Sequence, residues 1–276
     1  MNVSICTISF RHALVSIEQL ADWAKAHDVD GIELWAPHAR HLFATPSYNG
    51  DWLKKQGLIV PMVSDYFPLY EEWNTLIEAA KQASRLLTRW NTNHIRTFAG
   101  AKGSKDTTKA ERAYLVKRLA CLCDYFFDKG HYVLVETHPH TLCDTVPSTL
   151  QLLAEVDHPG LAINFDVLHV WESGADVNDA FKQLQPHIRH LHVKNIRSPE
   201  DLDVFAPENV YAAAGSREGM AGLFNGSVDY ESFLSANQLD GVNVSIEWFG
   251  NDPFHVLEQD CKQLMKWKTV PNRVGH

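Results

Sequence analysis

The sequence predicts a (β/α)8 barrel, and three observations carry that prediction. Eight short β-rich runs recur along the chain, helical patterns lie between them, and 276 residues suit one such barrel. The runs are VSICTIS (3–9), GIELW (31–35), LIVPMVS (58–64), HIRTFA (94–99), YVLVET (132–137), LAINFD (161–166), IRHLHVK (188–194) and VNVSIEW (242–248). Most are near-continuously apolar, the pattern of parallel strands covered on both faces. A doubly wound open sheet would use fewer strands and a Gly-rich phosphate turn. The nearest candidate, GAKGSKD (100–106), has neither Walker spacing nor G-x-G-x-x-G and reads as a βα loop.

Each element has its own signal. MNVSICTISFRH lacks a basic leader region and reads as a first strand rather than a signal peptide. Helical periodicity covers 16–28, 73–90 and 109–130, the last closed by Lys129-Gly130. Pro147 marks a helix start within 145–156. Residues 195–228 are rich in Gly, Ala, Pro and Asn and too long for a plain connection. They read as an extended βα loop over the active face. No repeat or linker interrupts the chain, so 1–276 reads as one domain.

Composition narrows the function. Lys plus Arg is 25 and Asp plus Glu is 34, a net charge of −9. That balance argues against an extended nucleic-acid surface. No apolar stretch approaches about 18 residues, so no membrane span is expected. Cys6, Cys121, Cys123, Cys143 and Cys261 are scattered, and positions i and i+2 of a helix do not share a face. They read as buried thiols of a protein in a reducing cytoplasm, not a zinc or disulfide framework. A homo-oligomer is left open.

Histidine is the unusual residue. Eight of fifteen (His131, His138, His140, His158, His169, His187, His190 and His192) fall between 131 and 192. In barrels of this class chemistry gathers at the C-terminal strand ends. Polar residues end the runs at Glu33, Ser64–Asp65, Glu136, Asp166, His192 and Glu247. Glu136, Asp166, His192 and Glu247 stand on the last four strands, and adjacent strands are about 4.8 Å apart. Any one alone is ordinary as a rim cap. Four at consecutive strand ends point to a metal, since three carboxylates together repel one another without a cation. The donor set is hard and oxygen-rich, suited to Mn²⁺, Mg²⁺ or Co²⁺.

Other polar groups crowd that rim. His138 follows Glu136 by two, His169 follows Asp166 by three, and Lys194 follows His192 by two. A divalent ion, a histidine base and a lysine together can remove a proton beside a carbonyl. Arg96 suits either a bidentate carboxylate contact or a structural salt bridge. His140, His187 and His190 are assigned no role, His190 sitting deeper than His192 on the same strand face. The remaining histidines, His276 among them, are assigned none either.

CTISFRH (6–12), GIELW (31–35), IRTFAG (95–100), VETHPHTLCDTVPSTL (135–150), INFDVLHVWESGAD (163–176), HVKNI (192–196), NVYAAAG (209–215) and IEWFG (246–250) run in order along the chain. With the Glu, Asp, His, Glu series they resemble the xylose isomerase-like barrels. More narrowly they resemble the metal-dependent 3-dehydroshikimate dehydratases of petrobactin-type siderophore biosynthesis. The resemblance implies conversion of 3-dehydroshikimate to 3,4-dihydroxybenzoate and water with a divalent metal, usually Mn²⁺. It implies Glu136, Asp166, His192 and Glu247 as ligands, His138 as the base and Lys194 as the group stabilising an enolate. It also implies Arg96, Tyr66, His169, Phe205 and Tyr211 around a small anionic substrate. A smaller amide is expected where His140 stands. A sugar isomerase or epimerase would use the same ligands. A repair endonuclease would want further His and Asp ligands and a basic face, and a non-catalytic binding barrel would not need the intact set.

Overall fold

The computed structural model describes residues 1–268; His276 and the end of the expected 1–276 domain lie outside the described residues. Ten strands are present among them: β1 (Asn2–Cys6), β2 (Gly31–Trp35), β3 (Val63–Ser64), β4 (His94–Thr97), β5 (Tyr132–Glu136), β6 (Leu161–Asp166), β7 (Ile188–Val193), β8 (Asn195–Ile196), β9 (Met220–Ala221) and β10 (Asn243–Ile246). Eight of them close a parallel barrel in chain order, β10 pairing with β1; β8 and β9 form a separate antiparallel ribbon.

The strands are shorter than the β-rich runs, for local reasons. After Cys6 the chain turns into a 3-10 helix, Thr7–Phe10, so the first run is only partly strand. The third run keeps two strand residues because Pro61 offers no N–H to the ladder. Gly31 bridges Ile59 while Leu34 pairs with Val63, so β3 gains one residue on β2 around that proline. A Cβ at Gly31 would lie 2.6 Å from the Ile59 carbonyl oxygen, which requires glycine there.

The helices Ile17–Ala26, Trp73–Trp90, Lys109–Phe127 and Val146–Val156 lie where the periodicity placed them. Ser16 with Gln19, and Thr108 with Glu111, form reciprocal capping boxes that satisfy backbone donors at two of these starts. The closing helix, Pro253–Lys268, packs on β1 and β10.

The strands alternate more sharply than their composition suggested. Outward residues such as Val3, Ile5, Ile32, Leu34, Val133, Val135, Ile163, Phe165, Leu191 and Val244 join the main core under the helices. The inward set, Ser4, Glu33, Ser64, Arg96, Glu136, Asn164, Asp166, His190, His192 and Ser245, is equally buried but polar. Met62, Leu134 and Ala162, backed by Tyr132, make an apolar plug inside. The expected cover on both faces is therefore apolar outside and largely polar inside.

Residues 195–228 are more ordered than a plain loop. They hold β8 and β9, a 3-10 helix, Pro199–Phe205, and a short helix, Pro207–Val210. Asn195 anchors the return, donating to the Leu223 and Val228 carbonyls at 2.7 and 2.9 Å and accepting from Val228 N. Arg11 clamps the middle, donating to the Val210 and Phe249 carbonyls at 2.7 and 3.1 Å. All five cysteines are free; four are buried, but Cys121 is partly exposed, a correction to the buried reading. Among the described residues no helix is long and apolar enough to cross a membrane.

Candidate active site

Strand register builds the cage. Glu136 on β5 pairs with Asn164 of β6, and Asp166, two residues on, pairs with His192 of β7. His192 pairs with Ser245 of β10, which places Glu247 one inward position higher. This stagger around the barrel brings Glu136, Asp166, His192 and Glu247 together. One ligand-capable atom from each lies within 4.8 Å of the others, and all four residues are buried. His192 Nδ1 is 3.3 Å from Glu136 Oε1 and 3.6 Å from Glu247 Oε1.

The residues present fit a divalent cation. Three buried carboxylates converge, and Glu136 Oε2 has no hydrogen-bond partner. Burial, with Glu136 and Glu247 nearby, raises the Asp166 carboxyl above its usual range even though Lys194 opposes this. Burial alone would lower His192, but Glu247, Glu33 and Glu136 around it push the imidazole well above its usual value. Such a crowd of negative charge is what a cation relieves.

The cations at the rim are held by the same carboxylates. Lys194 contacts Asp166 and reaches Glu247 Oε2 at 2.8 Å. Its backbone is fixed by buried Tyr230, whose hydroxyl donates to the Lys194 carbonyl at 2.8 Å. Arg96 Nε stands 2.9 Å from Glu136 Oε2, an ion pair off hydrogen-bond alignment. The Arg96 guanidinium lies over Tyr66 and Phe98, 5.0 and 4.9 Å from their centroids. Arg96 is thus a salt-bridge partner, and it also lines the cavity.

A cavity opens above the cage, lined by Tyr66, Arg96, Glu136, His138, His169, Lys194, Phe205, Tyr211 and Glu247. Asp166 and His192 lie beneath it, fully buried. His138 Nδ1 sits 2.7 Å from the Pro139 carbonyl, which can only accept, so Nδ1 carries the proton and Nε2 keeps a lone pair. Burial and the neighbouring His169 lower the His138 pKa well below its usual value, leaving the ring neutral. The His138 ring is 4.4 Å from Phe98 and 4.3 Å from His169. Tyr66 and Tyr211 meet hydroxyl to hydroxyl at 2.9 Å across the mouth. Phe205 faces His169 edge-on at 6.1 Å.

The cavity and the cage together hold all eleven expected residues. Two further groups were missed. Glu172 accepts from His169 Nδ1 at 2.7 Å; the His-x-x-Glu spacing on one helical turn was the available signal. Glu33, noted only as a polar strand end, binds both His190 and His192 at 3.0 Å. His140 is exposed with φ 58°, a left-handed backbone that Asn adopts readily and His tolerates, which explains the expected amide.

The comparisons agree with this architecture. The chain belongs to the xylose isomerase-like TIM barrel family, whose match spans residues 21–267. Within it, the chain is similar to a Bacillus anthracis protein named 3-dehydroshikimate dehydratase, 46% identical over 270 residues and 96% of each chain. It is also similar to a crystal structure described as the probable 3-DHS dehydratase AsbF, involved in petrobactin synthesis, from the same organism. That match has a TM-score of 0.92 and 46% identity, and covers 96% of this chain and 99% of the other. A structure of the IolI protein with a bound zinc atom has a TM-score of 0.74 and 16% identity, covering 98% and 97%; it supports the fold alone.

Proposed function

We propose that this chain is a hydro-lyase that converts 3-dehydroshikimate to 3,4-dihydroxybenzoate and water, with Mn²⁺ held by Glu136, Asp166, His192 and Glu247. The observation that carries the reading is the near-full-length 46% identity to a 3-dehydroshikimate dehydratase, joined to the buried four-residue cage. A divalent ion in that cage would act as a Lewis acid toward the substrate's ketone.

The chain's own residues supply the rest. His138, neutral with a lone pair on Nε2, removes the proton from the carbon beside the ketone. The Lys194 ammonium, already drawn to the carboxylates, faces the negative charge that develops on the ketone oxygen. The C–H electron pair forms a ring double bond as the β-hydroxyl leaves, and the proton returns to that hydroxyl as water. Loss of water and enolisation yield the aromatic diol, which makes the reaction strongly downhill. Arg96, with Tyr66 and Tyr211, receives the substrate carboxylate at the mouth. Phe98, Phe205 and Phe249 supply apolar walls. The product suits a catecholate siderophore, and five free thiols favour the cytoplasm.

The test is product identification. Incubation of the Mn²⁺-loaded protein with 3-dehydroshikimate should give 3,4-dihydroxybenzoate by mass and by ultraviolet absorbance. No aromatic product from 3-dehydroshikimate, with epimerisation or isomerisation of an added ketose or aldose instead, would overturn the assignment.

A further inference from the structure

Glu33 is no member of the cage, yet it is among the most heavily bonded carboxylates in the barrel. It is fully buried on β2, three strands round the barrel from β7 by way of β1 and β10. His192 Nε2 lies 3.0 Å from both of its oxygens. His190 Nε2 lies 3.0 Å from Oε2, Ser64 Oγ donates to Oε1, and Cys6 Sγ approaches Oε1 at 3.5 Å. Donors from three strands therefore fix this one carboxylate. An ionised carboxylate only accepts, so each facing imidazole nitrogen must carry its hydrogen. For His192 that assigns the retained proton to Nε2, so Nδ1, on the side of Glu136 and Glu247, is the nitrogen whose lone pair a cation in the cage would take. Contact with both oxygens also fixes the plane of the ring.

We propose that Glu33 is a positioning residue for the metal: it sets the tautomer and plane of His192 so that Nδ1 is the ligand atom, while His190 and Ser64 hold Glu33 in place. This rests on the reading of Glu136, Asp166, His192 and Glu247 as ligands. Carboxylates behind metal-bound histidines commonly do this, and their loss weakens metal binding about 10- to 100-fold. Glu33→Gln keeps the size but offers one acceptor and one donor to two imidazoles, so one ring must lose its partner or switch tautomer. A merely structural Glu33 would lower thermal stability without a matching change in metal affinity.

The test is Mn²⁺ affinity, read from the free-ion electron paramagnetic resonance signal in the absence of substrate. Glu33→Gln should raise the Mn²⁺ Kd about 10- to 100-fold. With Mn²⁺ saturating, its KM should stay within about twofold of wild type, since the effect is on metal occupancy. Glu33→Asp, which keeps the charge, should fall between wild type and Glu33→Gln, and it serves as the probe if Glu33→Gln does not fold. Ser245→Ala, which removes a contact to the far His190, should lower the melting temperature but leave Kd within about threefold. An unchanged Kd in the folded Glu33 variants, or an equal rise in Ser245→Ala, overturns the role of Glu33 alone. Failure of the wild type to bind Mn²⁺, or undiminished binding by His192→Ala, overturns the ligand set as well.

Discussion

The two halves of the barrel do different work. Strands β5, β6, β7 and β10 carry the four converging ligand atoms at or just beyond their C-terminal ends. Strands β1 to β4 carry no member of that set, yet they press charge and hydrogen bonds onto it. Arg96 from β4 pairs with Glu136, and Glu33 from β2 binds His192. Ser64 from β3 and Cys6 from β1 in turn hold Glu33. One half presents donors, and the other fixes their charge and orientation. Damage to the first half's groups should therefore be graded, and damage to the ligand half near-complete.

The largest effects should come from the ligand half. Glu136→Ala and His192→Ala should lose metal and activity together, and EDTA should do the same to the wild type until Mn²⁺ is restored. Metal analysis with steady-state rates checks both. His138→Ala should keep its metal and lose about 10²- to 10⁴-fold in kcat. Retained turnover in that variant would refute its assignment as the base.

Arg96→Gln tests the supporting half. Removing one partner of a buried ion pair costs about 3–5 kcal/mol of stability, so the melting temperature should fall clearly. Loss of a charge-assisted contact of about 1.5–3 kcal/mol should also lower kcat/KM roughly ten- to hundredfold without abolishing it. An effect as complete as that of Glu136→Ala would erase the distinction between the halves.

The smallest effect belongs outside both halves. Asp260, buried on the closing helix, accepts from Leu223 N at 2.8 Å in the long loop. Burial pushes its carboxyl up to about 7. The folded pKa is above the unfolded value of about 3.9, so its stabilising contribution is full below that value. It is lost as pH rises towards 7, by up to about 4 kcal/mol. Asp260→Asn should thus gain more melting temperature at pH 8.5 than at pH 6, with activity at saturating Mn²⁺ little changed. An equal gain at both values would show that Asp260 does not titrate in this range.

The same division explains what could be read from the sequence. The ligand half was legible because consecutive apolar runs each ended in one polar residue, and barrel topology sends such ends to one place. The supporting half ended in polar residues too, at Glu33 and Ser64. Their function depends on barrel closure, which brings residue 33 to residue 192, a separation that no local period records. His190 was set aside because depth in a strand does not reveal a carboxylate arriving from across the barrel. Strand limits failed at residues 58–62 because β-branched composition outweighed the missing N–H of Pro61. The crowd of histidines, 131–192, marked a stretch holding three of the four cage residues, but two of those three, Glu136 and Asp166, are carboxylates.

The cage of the second half should carry out metal-dependent dehydration. Its most direct test is the initial rate of aromatic product formation from 3-dehydroshikimate during a Mn²⁺ titration of the metal-free protein. No aromatic product should form without metal, and the rate should saturate at one Mn²⁺ per chain. A rate independent of Mn²⁺, or full metal loading with no aromatic product, would contradict it.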